Sequence, residues 1–172
     1  MNAVDDRDGP RDECGVFGIY APDREHEVAK LAYFALYALQ HRGQESAGIA
    51  TCDLGGHILT LRELGLVSQV FNEEKLQALS GDLAVGHVRY STPGSNAWEN
   101  AQPIYRSDVR EIALAHNGNL INAVKLHRDM TAEGVKFRST SDSEMIAAMI
   151  TTREADSLED AIAEIMPELE GA

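Results

Sequence analysis

The sequence predicts an α+β domain, and three observations predict it. Apolar runs of strand length lie in its first 120 residues, around 16–20, 48–52, 57–61, 83–88 and 112–120. Apolar residues at helical spacing appear over 27–39 and return from 120 onward. Between two of the strand runs, Asp53-Leu54-Gly55-Gly56 has the composition of a hairpin turn, the local signature of antiparallel pairing.

Length and composition bound the rest. A chain of 172 residues is long enough for one domain with a sizeable core, and 44% hydrophobic with 25% charged residues is globular composition. A formal net charge of -13 argues against a nucleic-acid groove or an anionic membrane surface, while leaving room for a local basic pocket. Cys14 and Cys52 are too few for a disulfide scaffold or a four-thiolate cluster and point to a reduced, cytoplasmic setting. No apolar run suggests a membrane span, and the histidines show no metal-binding spacing. Residues 1–13 lack the apolar core of a secretory signal and read as a disordered tail or a propeptide, leaving 14–172 as the domain.

In order, Val16–Tyr20 forms the first strand and Ala21-Pro22-Asp23 closes it. A helix over Glu27–Leu39 carries Val28, Leu31, Ala32, Ala35, Leu36 and Leu39 as one apolar stripe. Two glycines bracket a polar cluster from Leu39 to Ala50, so a turn containing Arg42 precedes the strand Gly48–Cys52; Arg42 is either an anion-carrying site residue or a surface arginine. The strand His57–Leu61 returns from the hairpin, and Asn72 caps a short helix through Leu79. Leu83–Val88 runs as a strand and then presents Arg89, Tyr90, Ser91 and Thr92 before Pro93-Gly94 turns the chain. After a polar loop with Trp98, Asn100, Gln102 and Pro103, the stretch Ile112–Leu120 is an apolar strand ending in amide and small residues. A helix over Leu120–Glu133 uses Ile121, Val124, Leu126 and Met130 as apolar surface, and Ser141 with Glu144 matches a capping box before Met145–Ile150. Ser157 with Asp160 caps a last helix that stops near Pro167, and Glu168–Ala172 reads as an arbitrary stopping point.

The chemistry-bearing groups fall at strand ends. Cys14 sits immediately before the first strand, and if the leader were cut before it, one residue would hold both a thiol and an α-amine. Their reference pKa values, about 8.5 and about 7.7–8.0, let the amine take the thiol proton near neutral pH. The competing reading is a small buried cysteine. Arg89 has the donor fork that suits a carboxylate, with the Thr92 hydroxyl to assist, or it pairs with a protein carboxylate. The Asn117 amide beside the Gly118 N–H offers two donors to an oxyanion, or forms a plain tight turn. Asp142 favours a helix dipole or receives a ligand ammonium.

Five ordered motifs then carry a resemblance: Cys14-Gly-Val-Phe-Gly-Ile19, Leu39-Gln-His-Arg-Gly-Gln-Glu-Ser-Ala-Gly-Ile49, Gly86-His-Val-Arg-Tyr-Ser-Thr92, Ala115-His-Asn-Gly-Asn-Leu120 and Ser141-Asp-Ser-Glu144. From Cys14 to about Ile150 the chain resembles the N-terminal glutaminase domain of the amidophosphoribosyltransferase family, which are class II glutamine amidotransferases and N-terminal-nucleophile hydrolases. Glucosamine-6-phosphate synthases usually have Tyr-Arg-Gly-Tyr-Asp where this chain has His41-Arg-Gly-Gln-Glu45, and Thr-Arg-Trp-Ala-Thr where it has Val88-Arg-Tyr-Ser-Thr92.

The resemblance implies an αββα sandwich of two mainly antiparallel sheets. It implies Cys14 as nucleophile with its own α-amine as base, Asn117 and Gly118 as the oxyanion hole, and Arg89 and Asp142 on the glutamine carboxylate and ammonium. Arg42 would lie at the mouth, and Tyr90 in a segment closing over glutamine. The implied reaction releases ammonia and glutamate through a cysteinyl thioester. The ammonia would reach phosphoribosyl pyrophosphate and form 5-phosphoribosylamine in purine biosynthesis. That step implies a following phosphoribosyltransferase domain with Mg2+ for its substrate, and a homo-oligomer; no nucleic acid and no membrane are implied. Some members carry an iron–sulfur cluster whose ligands lie largely outside this region, and two cysteines cannot supply it. Two departures stand beside the resemblance: Cys14 is internal, as in a precursor, and the phosphate loop for the second substrate is not found before Ala172. A glutaminase domain for another acceptor, such as an amino sugar, and a noncatalytic binding or assembly domain that keeps its leader are the alternatives.

Overall fold

The computed structural model describes residues 14–22, 27–90 and 97–171. Expectations for the leader 1–13 and for Thr92 fall outside the described residues. Strand β1 (Gly15–Tyr20) precedes helix α1 (Val28–Ala38), a 3-10 turn at Gln40–Arg42, and the hairpin of β2 (Ser46–Cys52) and β3 (Ile58–Leu64). Short helices α2 (Val67–Val70) and α3 (Glu73–Ala78) lead to β4 (Leu83–Arg89). Then come β5 (Ile104–Ser107), β6 (Glu111–Leu114), α4 (Ala123–Ala132), α5 (Asp142–Thr152) and α6 (Leu158–Ile165).

Two antiparallel sheets flanked by helices result. The larger has the order β1-β4-β2-β3, and β5 pairs with β6 in the smaller. Helix α1 covers one face of the larger sheet with Val28, Ala29, Ala32 and Leu36, all buried. Leu36 lies where a side chain on Gly86 would have to be, so helix and sheet close tightly at that point. Fully burying one such leucine stabilises by about 1.5–3 kcal/mol. The expected stripe is narrower than its spacing suggests, because Leu31 faces solvent while Ala29 takes the core position. On the other side, α5 packs on β5 and β6, and residues 143–151 are all buried because α4 and α6 also press on this helix.

Several local expectations change. The strand expected to reach Leu120 stops at Leu114, since residues 115–119 leave the sheet for the cleft described below. Strand β5 pairs with β6 where only a polar loop was expected. Ile121 and Val124 are exposed, so α4 rests on Leu126 and Met130 instead. Ser141 caps α5 through the Ser143 N–H, and the Glu144 carboxylate takes the Arg138 and Ser139 N–H groups rather than closing a box. Asn72 and Ser157 cap as expected, accepting from the Lys75 and Asp160 N–H groups at 2.9 and 3.0 Å.

The sheet order places the polar groups together. Because β4 runs antiparallel to both β1 and β2, its end meets both of their beginnings. The Glu45 N–H donates to Arg89 O at 3.0 Å just beyond that pairing. Gly43 passes so close to β4 that a Cβ would meet the Arg89 carbonyl carbon at 2.6 Å, which draws the Arg42 turn against the same edge. Gly48 likewise admits the Gln102 carbonyl, where a Cβ would sit 2.1 Å from its oxygen. Cys14, Arg42, Glu45, Arg89 and Tyr90 thus converge on one end of the larger sheet, with the Gln102 loop laid across its inner face.

Candidate active site

At that end lies a cleft of about 810 Å³ lined by Cys14, Arg42, Arg89, Tyr90, Gln102, His116, Asn117, Gly118 and Asp142. Cys14 is half-buried. Its Sγ accepts the Tyr90 N–H at 3.4 Å and lies 3.7 Å from Tyr90 O. Its carbonyl oxygen accepts from two side chains, Arg42 Nε at 3.2 Å and Asn117 Nδ2 at 2.7 Å. The cysteine is therefore fixed through its main chain as well as its sulfur, with its side chain toward the cleft.

Asn117 is delivered by the segment that leaves β6. The His116 N–H donates to Gln102 Oε1 at 2.7 Å, and Gln102 Nε2 donates to Ser143 Oγ at 3.0 Å. Gln102 is itself buried, so a side chain from the loop ties the Asn117 turn to the start of α5. That loop is held by Trp98, whose Nε1–H donates to Arg62 O at 3.1 Å and whose ring lies under the Arg62 guanidinium. On its other side Asn117 Oδ1 is 2.9 Å from His87 Nε2, on the central strand β4.

The two charged groups have different surroundings. Arg89 Nη1 pairs with Glu45 Oε1 in a half-buried ion pair, so the protein carboxylate weighed as its partner is present; the arginine lines the cleft as well. Asp142 receives the Leu120 N–H on one oxygen at 3.0 Å and the Ser143 N–H on the other at 2.8 Å. A carboxylate has about four acceptor sites, so these two bonds orient it without exhausting it. The ring of Tyr90 is exposed at the rim. Among the described residues no group of three or more His, Cys, Asp or Glu side chains could hold a metal ion, and no helix is long and apolar enough to cross a membrane.

Seven of the eight residues singled out from sequence line this one cleft, and Thr92 lies outside the described residues. Sequence reasoning missed Gln102, His87 and Glu45 as the groups that hold Asn117 and Arg89. For Gln102 the available signal was an amide before a proline in a polar loop. For His87 it was an imidazole inside an otherwise apolar strand. No local signal connects Glu45 to Arg89, which is 44 positions away.

The profile of the glutamine amidotransferase domain family matches residues 87–172, half of the chain. The chain is 49% identical over 175 residues to amidophosphoribosyltransferase from Mycobacterium tuberculosis, covering 97% of this chain and 33% of that protein. It is 56% identical over 145 residues to the Synechocystis amidophosphoribosyltransferase, covering 83% and 29%. Among solved structures, it is similar to the B. subtilis glutamine phosphoribosylpyrophosphate amidotransferase complexed with ADP and GMP. That likeness has a TM-score of 0.81 and 38% identity over 91% of this chain and 33% of the other. The chain thus spans about a third of the length of the relatives it matches.

Proposed function

Since the chain belongs to the glutamine amidotransferase domain family, we propose that it hydrolyses L-glutamine at Cys14 and supplies the ammonia to phosphoribosyl pyrophosphate in purine biosynthesis. The observation that carries the reading is a cysteine whose main chain is held by Arg42 and Asn117 at the wall of a cleft that also contains Arg89 and Asp142.

In this reading, removal of residues 1–13 frees the Cys14 amine. The amine takes the thiol proton, and the thiolate attacks the side-chain amide carbon of glutamine. Asn117 has a second amide N–H beyond the one given to Cys14 O, and with the Gly118 N–H it stabilises the oxyanion of the tetrahedral intermediate. Collapse passes the proton from the ammonium to the leaving nitrogen and releases ammonia, leaving a γ-glutamyl thioester. Water, deprotonated by the same amine, hydrolyses the thioester to glutamate. Arg89, assisted by Thr92, takes the substrate α-carboxylate and Asp142 its α-ammonium, while Arg42 and Tyr90 border the mouth.

The names of the relatives support the acceptor half of the proposal. A phosphoribosyltransferase domain would receive the ammonia and hold Mg2+ with its substrate, in a cytoplasmic homo-oligomer. The test is intact mass and glutamate release on the same preparation. A species beginning at Cys14 that forms glutamate, with a loss of about 1,000-fold or more in Cys14→Ser, is the expected outcome. Turnover by a protein retaining residues 1–13, or near-wild-type turnover in Cys14→Ser, would sink the mechanism.

A further inference from the structure

His87 occupies the middle of the larger sheet, on β4. Gly86 and Val88, its neighbours, face α1, so the two-residue period of the strand turns His87 to the opposite face, toward Asn117. The imidazole is fully buried. The glutaminase mechanism above assigns it no task.

We propose that His87 is a positioning residue that fixes the orientation of the Asn117 amide, and with it the oxyanion hole. The inference rests on the glutaminase reading for its catalytic consequence, but its geometric part stands alone. A backbone carbonyl only accepts, so the Asn117 atom 2.7 Å from Cys14 O is the amide nitrogen. The Asn117 oxygen then faces His87, and two acceptors cannot share a hydrogen bond at 2.9 Å. His87 Nε2 must therefore carry the proton and donate. In the neutral ring that leaves Nδ1 unprotonated, and Nδ1 is buried with no hydrogen-bond partner among the described residues. An orphaned acceptor there is the cost of directing the one ring N–H at Asn117. Burial, helped by the charge of Arg89, outweighs the opposing pull of Asn117 and the His116 main chain and holds the ring's pKa down to about 4, so it is neutral in the working range.

The consequence concerns where charge develops. With His87 donating, Asn117 turns its N–H groups toward Cys14 and the cleft. A flipped amide would present an oxygen to a developing oxyanion and repel it. Because that charge exists only in the tetrahedral intermediate, loss of the His87 donor acts on kcat and not on glutamine affinity.

Two measurements on the protein test this. Nitrogen NMR of the histidine rings should find His87 as the neutral Nε2–H tautomer near pH 7; an Nδ1–H tautomer or an imidazolium overturns the proposal, whether or not glutamine is turned over. In the form with a free Cys14 amine, His87→Leu should lower kcat about 10–100-fold with KM for glutamine changed less than about twofold, and His87→Gln, which retains an N–H at similar reach, should recover most of it. In an Asn117→Ala background the same His87→Leu change should cost less than about twofold, since the amide it orients is gone. Equal losses in both backgrounds would make His87 a packing residue only and overturn the proposal. A wild-type protein with a free Cys14 amine and no glutaminase activity would sink the functional reading while leaving the tautomer result to decide the geometry.

Discussion

Two corners of the molecule each gather a partly buried arginine, and they use it in opposite ways. Behind α5, Arg110 gives its terminal nitrogens to three backbone carbonyls, Ser157 O at 2.6 Å, Ala155 O at 2.7 Å and Arg153 O at 3.2 Å. At the end of β4, Arg89 gives a terminal nitrogen to the carboxylate of Glu45 and borders the cleft. Carbonyls are part of the fold and cannot be exchanged, so Arg110 latches the connection between α5 and α6. A side-chain carboxylate shares its arginine with an incoming carboxylate more readily, because the bond types are the same on both sides of the exchange. Among the described residues both corners leave buried polar atoms unpartnered, Glu45 Oε2 and His87 Nδ1 around Arg89 and the Nε of Arg110 itself at the other. One corner commits its arginine to the fold; under the proposed function the other holds its arginine for a ligand.

The contrast breaks most sharply at Asn117. Asn117→Ala should lower kcat for glutamine by about 100–1,000-fold, the scale for one lost oxyanion donor, and should cost about 1–3 kcal/mol of stability, because the buried His87 Nε2–H loses its acceptor. A loss of only twofold would remove the residue from the mechanism. The next largest effect is on stability in acid. Since the folded His87 binds its proton at about 4 and a free histidine at 6.5, the unfolded chain takes up more protons as pH falls through this interval. Stability from this group is therefore intact above pH 6.5 and lost progressively down to about pH 4, by about 3 kcal/mol in all. Denaturant midpoints across this range should fall less steeply in His87→Gln than in wild type; parallel curves would show that His87 charges freely in the folded protein.

The two arginines can be compared by one substitution. Arg89→Lys keeps the charge opposite Glu45 but loses the fork, and should raise KM for glutamine about 10-fold, with stability nearly unchanged. Arg110→Lys cannot reach three carbonyls at once and should lose about 1–3 kcal/mol of stability at constant KM. Steady-state kinetics and chemical denaturation on both variants check the assignment, and the reverse pattern would exchange the roles given to the two corners.

How far the sequence reveals each corner follows from the range of the interactions. Periodicity over 27–39 and the strand runs at β1, β2 and β4 disclose the larger sheet and its covering helix, because those patterns are local. The four-residue β5, Ile104–Ser107, shows no strand signal because half of it is polar edge. The stretch 112–120 looks continuous, yet it breaks at Leu114 because Gln102, from a separate loop, takes the His116 N–H. For the cleft, Cys14, Arg89, Asn117 and Asp142 declare themselves by chemistry at strand and helix ends. Their supports do not, since Glu45 and His87 act on partners 44 and 30 positions away and nothing in the neighbouring residues announces the pairing.

The smallest effect belongs to the α5–α6 corner. Ser157 serves it twice: its carbonyl takes Arg110 Nη1, and its Oγ caps α6 by accepting the Asp160 N–H at 3.0 Å while donating to Asp160 Oδ2 at 2.7 Å. Ser157→Ala keeps the carbonyl and deletes only the cap, so the helix loses one satisfied N-terminal donor and the Asp160 carboxylate loses its tether. The cost should be about 1 kcal/mol, read as a lowered thermal midpoint. Glutamine turnover should not change, because no atom of Ser157 lines the cleft. If kcat fell together with the midpoint, the α5–α6 connection would be coupled to the cleft through α5, whose first turn carries Asp142, and the division of labour between the two arginines would have to be given up.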